Sequence, residues 1–217
     1  MVRCGYGSME FAEWLVSHEG LNELLDEMIE EYGECAEDFA DELCDIFAEE
    51  FGCDLAYDAG IEKIVFMRYD WSEVVKLQVY SIGADGWDET DVWADAKECG
   101  LGRFFAEPIR IGGDTRWGWS VWVQERVEKG RTSAGVELDH LSRSLRGAMK
   151  RNGWNNWNNS TAFVKEVALR YPVGVAEELM RFCRRWDLND MHASNFVVTK
   201  RGEVVAFDFT PMSHVES

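Results

Sequence analysis

Asp190-Met-His-Ala-Ser-Asn195 is the most informative stretch of this chain, and Asp208-Phe209-Thr210 begins thirteen residues after Asn195. Between the two motifs, residues 195–199 and 203–208 are rich in apolar and β-branched residues, which is typical of strands. The turn-forming residues Lys200-Arg201-Gly202 separate these two runs. The pattern therefore predicts a β-hairpin that returns Asp208 to the side of Asn195.

The oxygen-bearing side chains of this stretch suit the transfer of a phosphoryl group. An Asp at position 190 can orient or deprotonate an attacking hydroxyl, and an Asn and a second Asp can hold Mg²⁺. Mg²⁺ prefers hard oxygen ligands and takes few of them from the protein. We therefore predict Asp190 as a catalytic residue and Asn195 and Asp208 as metal ligands. The competing interpretation is an ordinary hairpin whose acidic residues are solvated.

These motifs resemble those of a known family. Their order and spacing are similar to the catalytic loop and the metal-binding Asp-Phe-Gly of protein kinases, and the loop most resembles that of the early serine/threonine kinases of short-tailed bacteriophages. The pattern departs from that of most kinases in two ways: Leu188-Asn189 replaces His-Arg, and Thr210 replaces the glycine. The resemblance implies that the protein uses ATP and Mg²⁺.

The resemblance also implies an α+β architecture. We expect a minimal two-lobed protein-kinase-like fold, with an antiparallel N-lobe sheet and a truncated helical C-lobe, preceded by an acidic helical segment. The predicted parts are residues 1–51 for the acidic segment, 52–128 for the N-lobe and 129–217 for the C-lobe. Only nine residues follow Asp208, so we expect neither an activation segment nor a large helical subdomain.

A lysine on a predicted strand is the candidate ligand of the nucleotide phosphates. Val75-Lys76-Leu77 is similar to the kinase strand that presents a lysine to these phosphates. A lysine among apolar strand residues needs a partner, because a buried unpaired charge is costly. The alternative is an edge-strand lysine that discourages aggregation. Gly60, in the preceding turn, is expected to lie over ATP, although the turn lacks the Gly-x-Gly-x-x-Gly pattern.

Two further groups follow from the resemblance. Residues 86–97 are typical of a short helix, and Glu89 is the expected ion-pair partner of Lys76, with Asp91 as its competitor. The alternative for either acid is a position in the first helical turn, which the helix dipole favours. Glu125 and Val127 lie in the predicted hinge, where backbone groups would pair with the adenine edge.

The charge of the chain is strongly acidic and uneven. The net charge is −19, and residues 1–56 contain seventeen Asp or Glu against one Arg, which gives −16 for that segment. Direct binding to nucleic acid is therefore not expected, because phosphate contacts depend on Lys and Arg. A solvated face of amphipathic helices or a docking surface for basic proteins would explain the acids.

The resemblance implies a serine/threonine protein kinase of phage type that phosphorylates host proteins. The alternative is a weak or inactive kinase-like protein whose acidic surface binds and inhibits a host enzyme that processes nucleic acid. A small-molecule kinase with the same loop is a third possibility. No run is apolar enough for a membrane span. We expect a cytoplasmic location, in the host cell if a phage encodes the chain, and six reduced cysteines.

Overall fold

The computed structural model describes residues 7–22, 25, 36–59, 63–79, 88–114, 118–127, 160–188, 191 and 194–211. Gly60 and Asp190 lie outside this described part. The chain forms two compact units that alternate along the sequence: Met1–Gly86 with Pro108–Arg126, and Trp87–Glu107 with Val127–Ser217. The boundaries predicted at residues 51 and 128 divide the chain consecutively instead, and they stay a prediction.

The first unit contains a five-stranded antiparallel sheet. Its strands are β1 (Ala56–Ala59), β2 (Lys63–Met67), β3 (Glu73–Val79), β4 (Pro108–Asp114) and β5 (Trp119–Glu125). Their order across the sheet is β1-β2-β3-β5-β4. β2, β3 and β5 are rich in the β-branched and aromatic residues that fit a pleated surface. The α+β class and the antiparallel sheet predicted from the sequence are therefore present.

In the part of the chain that the structure describes, two helices pack on one face of this sheet. α1 (Ser8–Ser17) packs on β3, β4 and β5, and α2 (Ala36–Phe51) packs on β1 and β2. At Gly112 in β4, a Cβ atom would lie only 2.6 Å from Val16 Cγ1, so glycine is needed for this close approach. The helices and the sheet share one apolar core that includes Phe11, Leu15, Phe39, Leu43, Phe47, Ile64, Phe66, Val75, Leu77, Val121 and Val123.

The amphipathic character of α2 explains both its packing and its charge. Apolar residues at three- and four-residue spacing, among them Phe39, Leu43 and Phe47, are buried in the core. The acidic residues between them are exposed: Asp38, Asp41, Glu42, Asp45, Glu49 and Glu50. The last turn of α2 contains no basic residue. This helix therefore presents a negatively charged face to solvent.

The second unit is mainly helical. It contains α3 (Glu89–Glu98), a 3₁₀ turn (Gly102–Phe104), α4 (Ser160–Arg170), α5 (Val173–Arg185) and a hairpin of β6 (Phe196–Val198) and β7 (Val204–Ala206). Its core includes Val92, Phe104, Phe105, Phe163, Val167, Leu179, Met180, Phe182, Cys183, Phe196, Ala206 and Phe209. The segment that follows the 3₁₀ turn is hydrogen-bonded to β7 of the hairpin, since the Ala106 N–H donates to the Ala206 carbonyl at 2.7 Å.

The backbone at the end of α5 has a defined conformation just before the predicted catalytic loop. Asp187 has a φ of 46°, in the left-handed region that Asp tolerates better than most residues. The Leu188 N–H donates to the Cys183 carbonyl at 2.8 Å, and the Asp187 N–H donates to the Arg184 carbonyl at 3.3 Å. This pair of bonds is the Schellman arrangement, which satisfies carbonyls at a helix end. Leu188 is thereby buried two residues before Asp190.

Two sequence expectations concern the chain as a whole. None of the helices in the described residues combines the length and the apolar character that a membrane span requires. Cys44, Cys99 and Cys183 have free thiols, whereas Cys53 is disulfide-bonded. The expectation of six reduced cysteines is therefore wrong for Cys53.

Candidate functional site

Lys76 lies in the middle of the sheet of the first unit. β3 has β2 on one side and β5 on the other, and Lys76 stands opposite Val65 in β2 and Trp122 in β5. Its side chain is only 3% exposed. The alternative of an edge-strand lysine is therefore wrong, because β3 is flanked on both sides. A lysine buried at this position needs an interaction for its ammonium group.

The predicted hinge follows directly from the sheet. Glu125 is the last residue of β5 and is exposed. The Arg126 N–H donates to the Ser72 carbonyl at 2.9 Å, which holds the end of β5 against the start of β3. Val127 is half-buried. The roles of Glu125 and Val127 toward a nucleotide stay predictions, as does that of Gly60, which lies outside the described residues.

The hairpin of the second unit has the predicted form. β6 pairs antiparallel with β7, with Phe196 opposite Ala206. The turn is closed by a hydrogen bond from the Gly202 N–H to the Thr199 carbonyl at 2.9 Å, and Gly202 has a φ of 81°. Glycine adopts this left-handed conformation without steric cost. The expected hairpin is thus confirmed, and it sets the positions of the residues at its two open ends.

Asn195 and Asp208 meet at these open ends. The Phe207 and Asp208 N–H groups both donate to the Asn195 carbonyl, at 3.0 and 3.3 Å. The Asn195 side chain is buried, and that of Asp208 is half-buried. The expectation that the hairpin brings the two residues side by side is therefore confirmed. Their function as metal ligands stays a prediction.

Glu89 is buried at the start of α3 and contacts the residue after Asp208. Its side chain is 0% exposed, and its Oε1 accepts a hydrogen bond from the Phe209 N–H at 3.3 Å. The Phe209 ring packs in the core at 5.0 Å from the ring of Phe105. The helix start is thereby joined to the Asp208-Phe209 segment through a backbone amide.

Asp91 has a local structural function in the same helix turn. Its Oδ2 accepts from the Asp88 N–H at 3.0 Å, and Asp88 Oδ1 accepts from the Thr90 N–H at 2.8 Å. This reciprocal pattern is a capping box, which satisfies amides that have no partner inside the helix. Glu89 and Asp91 both lie in the first turn of α3, where Asp91 closes the capping box and Glu89 accepts from the Phe209 N–H. The pairing of either acid with Lys76 stays a prediction.

Asp95 connects α3 to the end of α5 and was not predicted from the sequence. Its Oδ2 accepts a hydrogen bond from Trp186 Nε1 at 2.5 Å and forms an ion pair with Arg185. α3 therefore contacts both segments of interest. Its Asp95 binds the end of α5, which precedes Asp190, and its Glu89 binds the amide of Phe209, which follows Asp208. Asp95 lies three residues after the apolar Val92, and residues three apart share one face of a helix. This spacing is the sequence signal that could have indicated a half-buried acid.

The donor chemistry of the hairpin ends fits Mg²⁺. An Asn amide oxygen and an Asp carboxylate are hard ligands of the kind that Mg²⁺ takes from a protein. The described residues contain no group of three or more His, Cys, Asp or Glu that could hold a metal ion. Mg²⁺ commonly keeps several waters and binds substrate phosphates beside one or two protein ligands, so Asn195 and Asp208 would suffice as its protein ligands.

The chain matches no protein-family model and no curated protein. Among solved structures, it is similar to the choline kinase LicA from Streptococcus pneumoniae, with a TM-score of 0.32 and 11% sequence identity. The similarity covers 79% of this chain and 68% of that chain.

Proposed function

We propose that the protein is an ATP- and Mg²⁺-dependent phosphotransferase of protein-kinase-like fold that acts on serine or threonine hydroxyls of host proteins, as phage-type kinases do. One observation supports this proposal above all: hydrogen bonds hold the two open ends of the hairpin together. The Asp208 N–H donates to the Asn195 carbonyl, and the Phe209 N–H donates to the Glu89 carboxylate. This network fixes an amide and an acid side by side on rigid elements. Fixed oxygen ligands are what metal-assisted phosphoryl transfer requires.

Each residue has a distinct function in this proposal. Asn195 and Asp208 hold Mg²⁺, which neutralises charge on the phosphates when it is bound. Lys76 supplies a fixed positive charge for the phosphates, with Glu89 as its ion-pair partner. Asp190, which lies outside the described residues, accepts or orients the proton of the attacking hydroxyl. The buried Phe209 and the Schellman end of α5 fix the chain on either side of these groups.

Labelled ATP tests this proposal directly. The purified chain is incubated with γ-labelled ATP, Mg²⁺ and a bacterial lysate, and the labelled amino acids are identified after hydrolysis. We expect label on Ser or Thr, and a loss of roughly 10²–10⁴-fold in Asp190→Asn, because a positioned proton acceptor contributes about that much. Asp54→Asn, a change at an exposed Asp, is the control. Absence of transfer by the wild type would overturn the proposal.

A second candidate function rests on the acidic face of α2. Its exposed acids are not balanced by any basic residue in the last turn of the helix. Such a face attracts basic partners, including host proteins that bind nucleic acid. In this candidate the kinase-like units only support the surface, and the protein acts by blocking its partner. Transfer of label in the assay above, lost in Asp190→Asn, would argue against a purely blocking protein.

A further inference from the structure

The two faces of the five-stranded sheet differ in chemistry. One face belongs to the apolar core under α1 and α2. Strand alternation places Lys63, Lys76, Gln78, Ser120 and Trp122 on the opposite face. Cross-strand register sets Lys63 opposite Gln78, Gln78 opposite Ser120, and Lys76 opposite Trp122. The second face therefore carries two cations and several polar groups on three adjacent strands.

The two lysines of this polar face lie around one aromatic ring. Lys63 Nζ is 5.8 Å from the centroid of the Trp122 ring, and Trp122 is the cross-strand partner of Lys76. Cross-strand partners in an antiparallel sheet have Cβ atoms about 5 Å apart. Lys63 is 9% exposed and Trp122 is 0% exposed. Two buried lysines thus neighbour one buried indole on this face, one through its ammonium group and one through its cross-strand position.

Two buried polar atoms on the same face need partners. Among the residues that the structure describes, Gln78 Oε1 has no hydrogen-bond donor and Trp122 Nε1 has no acceptor. Gln78 is only 3% exposed. Nearly all buried polar atoms in native proteins are hydrogen-bonded. A molecule that completes this face would need an acceptor for the indole N–H and a hydroxyl or amino donor for the glutamine oxygen. The two nearby lysines favour a molecule that carries negative charge.

A nucleoside di- or triphosphate has this combination of groups. Its phosphate oxygens accept from cations and indole N–H groups, and its sugar hydroxyls and amino group donate. We infer that Lys63 is a second phosphate-binding cation beside Lys76, and that Trp122 and Gln78 contact the same nucleotide. This inference rests on the proposed function. Residues 57–62, just before Lys63, contain one glycine and no glycine-rich loop. In this inference the Lys63 side chain binds the phosphates, as the backbone amides of a glycine-rich loop do in other nucleotide sites.

Lys63→Met tests the second cation. Dissociation constants for ATP and ADP are measured by calorimetry for the wild type, Lys63→Met, Lys63→Arg and Lys76→Met. Loss of a hydrogen bond to a charged group corresponds to roughly 10- to 100-fold in affinity, so we expect that weakening in Lys63→Met and partial recovery in Lys63→Arg. Lys97→Met is the matched control, because Lys97 also lies over an indole, 4.5 Å from Trp93, but is exposed on α3.

Gln78→Leu separates a ligand contact from a packing residue. If Gln78 Oε1 accepts a hydrogen bond only from a bound nucleotide, Gln78→Leu without ligand should unfold at the same temperature as the wild type or at a higher one. The reason is that the change removes a buried oxygen that has no donor among the residues that the structure describes. The same variant should bind ATP more weakly. A residue that only packs would give the opposite pair of results, with a lower unfolding temperature and unchanged affinity. This measurement also decides the question if Lys63→Met does not fold.

The outcomes distinguish this inference from the function on which it rests. If Lys76→Met loses ATP affinity while folded Lys63→Met and Gln78→Leu bind like the wild type, the second cation is wrong and the proposed function stands. If the wild type binds neither ATP nor ADP with Mg²⁺, both fail. Weakened binding in Lys63→Met, with unchanged binding in Lys97→Met, supports the inference.

Discussion

Among single side chains, Glu89 joins the start of α3 to the Asp208-Phe209 segment of the second unit. It is fully buried and accepts from the Phe209 N–H. We predict that Glu89→Leu lowers the free energy of unfolding by about 1–3 kcal/mol, because a buried amide loses its acceptor. Glu89→Gln retains an oxygen acceptor and should lose less. Denaturant unfolding provides the measurement.

The control for this prediction lies on the same helix. Glu98 is exposed at the last turn of α3, so Glu98→Leu should change stability by no more than a few tenths of a kcal/mol. Equal stability of Glu89→Leu and Glu98→Leu would contradict the assignment of Glu89 as the group that holds the Asp208-Phe209 segment.

At the scale of elements, α5 contains a buried thiol that makes stability depend on pH. Burial raises the pKa of Cys183 from 9.0 to about 12. Between these values the unfolded chain ionises this thiol while the folded chain keeps it protonated, so the folded state loses stability as pH rises. The loss is at most about 1.4 kcal/mol per pH unit.

Chemical denaturation at a series of pH values from 8 to about 11 measures this effect. We predict that Cys183→Ala shows a shallower alkaline decline than the wild type, whatever its stability at neutral pH. Cys99→Ala, at an exposed cysteine, should keep the wild-type decline. If Cys183→Ala and the wild type decline in parallel, the thiol ionises in the folded protein and the burial argument for α5 is wrong.

Local sequence patterns predicted some of these elements and contacts but not others. The hairpin and the strand that carries Lys76 were predictable, because strand alternation and turn residues are local properties. Which of Glu89 and Asp91 pairs with Lys76 stays a prediction, and the sequence did not show that Asp91 closes the capping box with Asp88. Asp95 was missed because its partner Trp186 is 91 residues away. Gly60 and Asp190 still rest on the sequence alone.

At the scale of the whole molecule, the uneven charge predicts salt-sensitive binding of basic partners. The acidic face of α2 should attract them through a field that salt screens, with a Debye length of about 8 Å at physiological ionic strength. We predict that capture of basic proteins from a bacterial lysate falls steeply with added salt. It should fall further when Asp41, Glu42, Asp45 and Glu49 become Asn or Gln, while phosphoryl transfer to a generic peptide survives.

The comparison of binding and activity separates the two candidate functions. The four acids are exposed and lie on the helix that packs on β1 and β2, and none of them belongs to the proposed catalytic set. If the neutralised variant captures the same proteins at the same salt concentration, this face is only a solvated helix surface. If it loses both capture and generic peptide phosphorylation while folded, the separation of surface and site is wrong.

Metal-dependent nucleotide binding tests the central claim most directly. The unfolding temperature is measured with ATP plus Mg²⁺ and with ATP plus a chelator, for the wild type, Asp208→Ala and Glu203→Ala, the last at an exposed acid in the same hairpin. We predict that Mg²⁺-ATP raises the unfolding temperature of the wild type and of Glu203→Ala but not that of Asp208→Ala, because the bound metal loses its carboxylate. An undiminished Mg²⁺-ATP shift in folded Asp208→Ala would contradict the account.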